Sequence, residues 1–320
     1  MIQNHWSMLS DRIRTSAFRK AIEAVVRPGQ VVLDLGSGSG IMAFFAAKAG
    51  ARKVYAIEQT NLVDFAQNAC TSNGLSEKVS FIKGHSSDIS LPEKVDVVIS
   101  ETIGSIGFDE NIIRNFIDAR GRFLKTGGSI IPARMRVFCA PVSVPCVHAR
   151  IGFWKRKVWG FDFPLGHEYA ANTIYPARIR QSQMFARPRC FFTVDLGTAQ
   201  DDCLESGFSF SIERPGIVHG FAGWFSATLS KGVDITNAPG ARITHWSQNI
   251  LPLPKPVVVR KGDRIHLTLQ TIPLEKSLFW NWKGAVRREW AEKKERVLEF
   301  DLSTFRGYPQ QLAVVRQSSI

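Results

Sequence analysis

The sequence predicts a two-domain α/β protein, in which a Rossmann-like parallel sheet is followed by an antiparallel, β-barrel-like domain. The first observation is the stretch VVLDLGSGSG at 31–40, whose apolar residues and three glycines are typical of a buried parallel strand ending in a tight turn. The second is the alternation of strand-like and helical segments up to Pro132. The third is the change after Pro132 to short β-branched runs separated by turn residues.

A length of 320 residues is enough for two domains of ordinary size. We assign residues 1–28 to an N-terminal helical segment, 29–133 to the Rossmann-like domain and 134–320 to the β domain. Inside the β domain, an irregular segment rich in aromatic residues at about 153–188 is predicted to be a lid or an oligomer contact.

The individual elements follow from periodicity and turn signals. Residues 5–25 carry apolar side chains at helical spacing and are predicted to form one helical segment that ends at Arg27-Pro28-Gly29. The predicted strands lie near 31–35, 53–57, 79–83, 95–100 and 128–132, the helices near 40–49, 61–73 and 110–123, and the turns at Asn73-Gly74 and Gly127-Gly128.

The net charge is unusual, because 41 basic and 28 acidic residues give +13. Residues 1–140 hold 17 basic and 13 acidic residues (+4), which leaves 24 and 15 (+9) for the rest. Such a surface attracts an acidic protein, a nucleic acid or a ribosome, or it serves solubility alone.

Cysteine usage and hydropathy indicate the compartment. The five cysteines are odd in number and form no C-x-x-C pair, so neither a disulfide framework nor a zinc site is predicted. No signal-like start and no long apolar run occurs. We therefore expect a cytoplasmic protein that neither is secreted nor spans a membrane.

Two acids mark a candidate cofactor site. Glycines after the first strand let backbone N–H groups approach a ligand closely. Glu58 ends the second strand, where a carboxylate can accept hydrogen bonds from both ribose hydroxyls. Asp34 lies inside the first motif, where a pyrophosphate would bring negative charge, so a cationic cofactor fits better. S-adenosylmethionine carries a sulfonium and an ammonium.

A second pair of acids follows the fourth strand. Glu101 lies at the carboxyl end of that strand, and Glu110 follows after a loop that contains Gly104 and Gly107. A hairpin in this loop would bring both carboxylates to one pocket, where a planar guanidinium is the cation that fits best. The alternative is a strand-end acid and a helix-start acid without a shared ligand.

These residues resemble the protein arginine N-methyltransferases. The start HWSMLSDRIRT is similar to the family's H-x-x-M-L-x-D-x-x-R-T segment, VVLDLGSGSG is similar to its cofactor glycine loop, and Glu101 and Glu110 match its two hairpin glutamates. The resemblance implies a class I methyltransferase domain that binds S-adenosylmethionine. The cofactor-binding residues so implied, with two serines that follow the third strand, are His5, Met8, Arg14, Asp34, Gly36, Gly38, Gly40, Glu58, Ser86 and Ser87.

The resemblance extends into the β domain. Thr244-His245-Trp246 reproduces the family's T-H-W loop. It implies that His245 pairs with Asp11, that Thr244 and Trp246 belong to the substrate pocket, and that Arg14 binds the cofactor carboxylate. The run WGFDF resembles the start of the arm through which these enzymes form ring-like homodimers.

Two departures from the family pattern affect what we expect. The family's tyrosine-rich N-terminal helix has no counterpart in this sequence, so cofactor closure is expected to be looser or to use a partner subunit. Thr102-Ile103-Gly104-Ser105 stand where the family has W-M-G-Y. Because aromatic walls stack on a guanidinium, their loss is expected to enlarge the pocket or change its occupant.

The sequence therefore predicts transfer of a methyl group from S-adenosylmethionine to a guanidino nitrogen of a protein arginine, with S-adenosylhomocysteine as the product. Glu101 and Glu110 would orient the guanidinium, and a glutamate or the Asp11–His245 pair would take the proton. No metal is expected. Two alternatives remain: a methyltransferase acting on a small amine or guanidine or on an RNA or ribosomal substrate, and a cofactor-binding scaffold without catalysis.

Overall fold

The computed structural model describes residues 2–274, 277–288 and 295–307. The end of the predicted β domain, 308–320, lies outside the described residues. The helices are α1 Ile2–Ser10, α2 Arg12–Val25, α3 Ile41–Lys48, α4 Leu62–Ser72, α5 Ile112–Arg122, α6 Pro145–Phe153 and α7 Gly166–Ala171. The strands are β1 Val31–Leu35, β2 Lys53–Glu58, β3 Val79–Lys83, β4 Val95–Ser100, β5 Leu124–Ile131, β6 Arg134–Val142, β7 Tyr175–Ala177, β8 Arg189–Asp195, β9 Glu205–Ser211, β10 Gly216–Ser230, β11 Val233–Thr236, β12 Gln248–Val259, β13 Arg264–Leu274, β14 Ser277–Arg288 and β15 Glu295–Ser303.

The first five strands form one parallel sheet in the order β3-β2-β1-β4-β5. β1 is buried along its whole length because helices cover both faces of such a sheet. Phe18 and Ile22 of α2 are fully buried and belong to the same core. The Rossmann-like prediction is confirmed. All carboxyl strand ends lie at one edge, which is where this type of sheet binds ligands.

The remaining strands form two antiparallel sheets, which confirms the second half of the predicted fold. One has the order β7-β12-β10-β6-β8 with β11 paired to β10, and the other has the order β15-β14-β13-β9. Their apolar faces meet: the ring of Phe221 lies 6.2 Å from Phe210 and 5.8 Å from Phe300. Trp282 Nε1 of one sheet donates to Pro252 O of the other at 2.8 Å.

The predicted N-terminal helical segment is present as two helices, and one predicted turn was wrong. The segment is interrupted at Asp11, whose carboxylate accepts from the N–H groups of Ile13 and Arg14 and so starts the second helix. Gly127-Gly128, predicted as a turn, lies inside β5. Gly127 has φ of 76° and the pairing with β4 shifts register there, as in a β-bulge.

The predicted arm contains more regular structure than expected. α6 and α7 flank a short turn in which Val158 bridges Phe161, and Trp159 at its tip is 95% exposed. Further exposed apolar side chains are Phe161, Phe163 and Leu165. In the described part of the chain, no helix is both long and apolar enough to cross a membrane.

The contact between the two antiparallel sheets can be tested at Trp282. Trp282→Ala is expected to lower the free energy of unfolding by about 3–5 kcal/mol, because a fully buried indole is removed. Trp282→Phe keeps an aromatic ring but leaves the Pro252 carbonyl without its donor, and should cost about 1–3 kcal/mol. Urea unfolding of both variants measures this. A Trp282→Phe variant as stable as the original protein would contradict a contribution from the hydrogen bond.

Candidate active site

The carboxyl edge of the parallel sheet opens into a cleft of about 1020 Å³. The cleft is closed on one side by α1 and α2 and on another by residues of β14. Ten of the residues predicted from sequence line it: His5, Met8, Arg14, Asp34, Gly36, Gly38, Glu58, Ser86, Glu101 and Glu110. The fold thus brings together residues that are far apart in the chain.

The other six predicted residues do not line the cleft: Asp11, Gly40, Ser87, Thr244, His245 and Trp246. Gly40 is the N-cap of α3 with φ of 81°. Ser87 Oγ donates to Asp88 Oδ1 at 2.7 Å, away from the glycine turn. Thr244 and Trp246 are buried, so their surroundings are protein rather than the cleft.

The glycine turn after β1 is shaped to hold a ligand beneath α1. Gly36 and Gly38 have φ of 72° and 51°, a region that favours glycine. A Cβ on Gly38 would come within 2.8 Å of His5 Cε1, so α1 lies directly over the turn. Between the two glycines, Ser37 Oγ is buried and has no hydrogen-bond partner among the described residues. An orphaned buried hydroxyl that lines the cleft indicates a missing polar ligand.

Asp34 and Glu58 supply negative charge at this end of the cleft. Asp34 is 1% exposed and accepts from the N–H of Ala43 at 2.9 Å. Burial and, to a smaller extent, the charge of Glu58 raise the pKa of Asp34 to about 7. Glu58 accepts from the N–H groups of Gly38 and Thr60 at 2.9 and 2.8 Å, and each oxygen keeps a further lone pair. A cationic ligand would favour the ionised form of Asp34.

Arg14 and Glu101 form a buried ion pair. Arg14 Nε lies 2.9 Å from Glu101 Oε2, and Arg14 Nη2 also donates to that oxygen. The two side chains are 6% and 7% exposed. Arg14 Nη1 reaches Met8 O at 3.4 Å. The guanidinium therefore joins α2 and the end of α1 to the carboxyl end of β4.

Glu110 faces the open cleft, on the far side of the loop from Glu101. Although Glu110 is exposed to the cleft, the surrounding protein reduces its hydration and raises its pKa to about 7, with the negative charges of Glu101 and Asp109 adding to the effect. The neutral form of Glu110 is therefore more favoured than that of a free glutamate. A bound cation would shift this balance toward the ionised form.

Asp11 and His245 lie in contact behind Arg14. His245 Nδ1 lies 3.0 Å from Asp11 Oδ2, and the backbone N–H of His245 donates to the same oxygen at 2.7 Å. Burial opposes ionisation of Asp11, but hydrogen bonds from the N–H groups of Arg14 and His245 and from the His245 ring outweigh it and lower its pKa. Asp11 thus joins the β domain to the start of α2.

The loop between Glu101 and Glu110 is held by three side chains of the β domain. Trp246 Nε1 donates to Ile103 O at 2.8 Å and Asn237 Nδ2 donates to Ser105 O at 2.8 Å. Trp280 Nε1 donates to Asp109 Oδ1 at 2.7 Å. Sequence reasoning did not identify Asn237 or Trp280, because neither belongs to a local motif. They reach the loop only because distant strands fold next to it.

Asp109 is a third carboxylate of this loop, and it too was missed. Its Oδ2 accepts from the N–H of Ile106 at 2.8 Å, which closes the loop on itself. A Cβ on Gly104 would lie 2.3 Å from Asp109 Oδ2, so only glycine admits this side chain. The rings of Phe108 and Trp280 are stacked, with their centroids 6.2 Å apart and an angle of 8° between their planes. A run of acids at 109–110 was the only sequence signal.

The charged groups lining the cleft are unbalanced. Among the described residues, five carboxylates line it, Asp34, Glu58, Glu101, Asp109 and Glu110, against the single guanidinium of Arg14. This excess contrasts with the net charge of +13 for the chain. The cleft is therefore suited to cationic ligands, one above the glycine turn and one near Glu110.

Comparison with known sequences and structures gives a consistent result. The sequence family described as "Arginine methyltransferase oligomerization subdomain" matches residues 133–280, and "Ribosomal protein L11 methyltransferase (PrmA)" matches residues 15–133. Protein arginine N-methyltransferase 1 of Dictyostelium discoideum is 31% identical over 282 residues, covering 85% of this chain and 82% of that protein.

Longer relatives match as well. The histone-arginine methyltransferase CARMER of Drosophila persimilis is 35% identical over 279 residues, which cover 81% of this chain and 52% of that protein. The chain therefore spans about half the length of the CARMER relatives that it matches.

Two solved structures share the fold over nearly the whole chain. The Trypanosoma brucei PRMT1 enzyme–prozyme heterotetrameric complex with AdoHcy has a TM-score of 0.82 at 25% identity, covering 93% of this chain and 97% of that chain. Arabidopsis thaliana protein arginine methyltransferase 10 has a TM-score of 0.80 at 27% identity, with coverages of 95% and 98%.

The electrostatic coupling in the loop can be measured. In Asp109→Asn the pKa of Glu110 is expected to fall from about 7, because a neighbouring negative charge is removed. Asparagine is nearly isosteric with aspartate, but its one oxygen can keep only one of the two acceptor roles of Asp109, toward Ile106 or toward Trp280. The measurement is a ¹³C NMR titration of the Glu110 carboxyl group. An unchanged pKa would mean that Asp109 does not contribute and that desolvation and the charge of Glu101 raise it.

Proposed function

This chain belongs to the protein arginine methyltransferase family, and we propose on that basis that it transfers methyl groups from S-adenosylmethionine to the terminal guanidino nitrogens of arginine in proteins. The observation that carries the proposal is the acidic cleft, which joins a glycine turn to the Glu101–Glu110 loop. The excess of carboxylates suits an arginine side chain even though the protein as a whole is basic.

The residues present fit S-adenosylmethionine. Asp34 and the unpartnered Ser37 hydroxyl would face the polar end of the cofactor, and Glu58 would accept from its ribose hydroxyls. Arg14 has donors beyond those used by Glu101 and would bind the cofactor carboxylate. When bound, the cofactor supplies a methyl group activated by the sulfonium and leaves as S-adenosylhomocysteine. The predicted roles of Met8, Gly36, Gly40, Ser86 and Ser87 stay part of this proposal.

We assign a division of labour to three segments of the chain. Residues 29–133 would bind the cofactor, and residues 1–28 would cover it, as His5 covers Gly38. Residues 134–320 would form the β domain that holds the substrate loop. The hydrogen bonds from Trp246, Asn237 and Trp280 to that loop support this division.

Within the cleft, Glu101 and Glu110 would hold the substrate guanidinium. Glu101 is fixed by Arg14, so it would supply orientation. Glu110 has no such partner among the residues that the structure describes, and its pKa of about 7 suits a group that receives a proton at neutral pH. The Asp11–His245 pair lies outside the cleft lining, which favours Glu110 as the proton acceptor. The pair would instead position α2, and Arg14 with it.

We further propose that the protein is a homodimer formed through the arm at about 153–188. The exposed side chains of Trp159, Phe161 and Phe163 support this, since clustered apolar groups on a projecting turn favour burial against a partner. The match to an oligomerization subdomain supports it as well. We also propose an acidic or nucleic-acid partner for the basic surface.

A cytoplasmic location is part of the same proposal. All five cysteines are free, and Cys146 and Cys203 are exposed, which is typical of proteins in a reducing compartment. Fractionation of cells that express a tagged full chain tests the location.

A second candidate substrate class follows from the composition of the loop. Ser105 lines the cleft where the family typically has a tyrosine. The smaller side chain leaves room for a guanidine or amine of different shape, so methyl transfer to a small molecule or to RNA is the alternative.

The proposed chemistry can be tested with two carboxylate variants. Glu101→Gln and Glu110→Gln should each lower turnover by at least about 100-fold, because both carboxylates contact the reacting guanidinium. Binding of S-adenosylhomocysteine, measured by calorimetry, should change little in Glu110→Gln. In Glu101→Gln it should fall less than turnover, because the glutamine oxygen can still accept from Arg14. The assay measures label from S-adenosylmethionine in the protein, nucleic-acid and small-molecule fractions of a lysate.

The control is Glu23→Gln, which changes an exposed carboxylate of α2 outside the cleft and should leave both measurements unchanged. Label in methylated arginine that disappears in both cleft variants agrees with the proposal. Label in another fraction would instead favour the small-molecule or RNA substrates. Equal loss of turnover and of cofactor binding would contradict a role for the two glutamates in holding substrate.

The homodimer has its own test. Trp159→Asp places a charge on the most exposed aromatic side chain of the arm and is expected to convert a dimer into a monomer in light scattering coupled to size-exclusion chromatography. Ile217→Asp, on an exposed apolar residue of β10 outside the arm, is the control. A dimer that persists in Trp159→Asp would contradict assembly through the arm.

A further inference from the structure

Three of the seven histidines of the chain lie near one another where α6 leaves the β domain and leads into the arm. His148 belongs to α6, His167 to α7 and His219 to β10, and together they form the histidine cluster. His219 is 7% exposed and His148 is half-buried. The cluster contributes no residue to the lining of the acidic cleft, so the methyl transfer proposed for this chain does not use it.

His219 holds the start of α6 by accepting hydrogen bonds. Its Nδ1 accepts from the backbone N–H of Val144, the N-cap of α6, at 3.3 Å, and lies 3.4 Å from Ser143 Oγ. Val144 is buried, so its N–H is kept from water and needs an acceptor. A ring nitrogen that accepts from a backbone N–H carries no proton of its own. This contact therefore requires the neutral form of His219.

His148 packs against His219 from the side of the helix. Their ring centroids are 5.6 Å apart, with an angle of 53° between the ring planes. His148 Nε2 donates to Leu253 O of β12 at 2.9 Å. A proton added to His148 would leave that bond intact, but two protonated rings at this distance would repel each other. Attachment of α6 to β10 and β12 is therefore strongest when both rings are neutral.

The charges near the cluster oppose its protonation. Lys155, which follows α6, and the other two histidines act in this sense on His148, and Lys155 does so on His167. Nε2 of His167 is buried and has no hydrogen-bond partner among the described residues. The remaining charged side chains on α6, on α7 and on the strands that pair with β10 are exposed: Arg150, Glu168, Arg134, Arg136, Asp234 and Lys255.

Acid favours the form in which the cluster is open to water. Burial lowers the pKa of all three histidines below the value of about 6.5 that an exposed imidazole has. Protons therefore bind more tightly once α6 has moved away from β10 and β12. The effect begins near pH 6.5 and increases until the lower pKa of the buried ring is reached. Over that range each histidine raises the opening equilibrium by up to about tenfold per pH unit.

We propose that the histidine cluster is an acid-sensitive attachment of the arm, which holds α6 at neutral pH and releases it as the pH falls. Protonation of His219 removes the acceptor for the Val144 N–H, and protonation of His148 adds repulsion. A released α6 no longer fixes the exposed turn at Trp159 relative to the β domain. The consequence for assembly rests on the proposed homodimer, which acid should dissociate.

The test is hydrogen–deuterium exchange of the full chain at pH 7.5 and 5.5, measured in peptides that contain α6 and corrected for the intrinsic exchange rate at each pH. Protection of the α6 amides should fall about 10- to 100-fold at the lower pH. In the double variant His148→Gln, His219→Asn, the glutamine amide can donate to Leu253 O and the asparagine oxygen can accept from Val144. Neither new side chain titrates, so most of the pH dependence should disappear.

The matched control is His266→Gln, which removes an exposed imidazole of β13 and should keep the pH dependence of the original chain. An equal loss of protection in the double variant and the original chain would overturn the proposal, as would constant protection of α6 in the original chain. Titration of ¹³C-labelled histidine rings needs no variant: pKa values of about 6.5 or higher for His148 and His219 would also overturn it.

Light scattering coupled to size-exclusion chromatography at the two pH values separates the attachment from the homodimer. A dimer that dissociates at pH 5.5 in the original chain, but persists in the double variant, agrees with both proposals. A chain that is monomeric at both pH values would contradict the homodimer, while exchange of α6 still decides the attachment. Methyl transfer to an arginine peptide at pH 7.5 should be equal in the two proteins, and its absence from both would contradict only the proposed function.

Discussion

The buried ion pair of Arg14 and Glu101 is the interaction on which the rest of the site depends. It joins the N-terminal helices to the end of β4, and neither side chain can leave the other without an unpaired charge in the interior. Breaking such a pair by removing one partner typically costs about 3–5 kcal/mol. The site therefore holds two acids of different kinds: Glu101 is fixed by a cation, while Glu110 faces the cleft and titrates near neutral pH.

The position of Arg14 is itself set by the β domain. His245 contacts Asp11, Asp11 caps the helix that carries Arg14, and Arg14 holds Glu101. A second set of contacts reaches the same loop from the other side through Trp246, Asn237 and Trp280. The β domain thus acts on the cleft through the loop backbone and through α2. This gives a physical reason for two domains in a chain whose predicted cofactor-binding residues all lie in the first 87 positions.

Much of the fold could be predicted from sequence, because strand periodicity and glycine turns are local signals. β1 and β4 have the predicted bounds. The acid of each strand lines the cleft: Asp34, whose pKa is raised, and Glu101, which pairs with Arg14. Asn237 and Trp280 could not be found in this way, since they contact residues more than 130 positions away. Gly127-Gly128 misled the prediction because a bulge and a turn need the same backbone freedom.

The net charge of the chain and the net charge of the cleft have opposite signs. A chain with a net charge of +13 should repel a basic protein substrate, yet the cleft concentrates five carboxylates around one guanidinium. Fields inside a cleft are focused by its walls, whereas charges on the outer surface are screened within about 8–10 Å at physiological salt. The acidic cleft can therefore attract a cationic side chain even though the chain as a whole is basic.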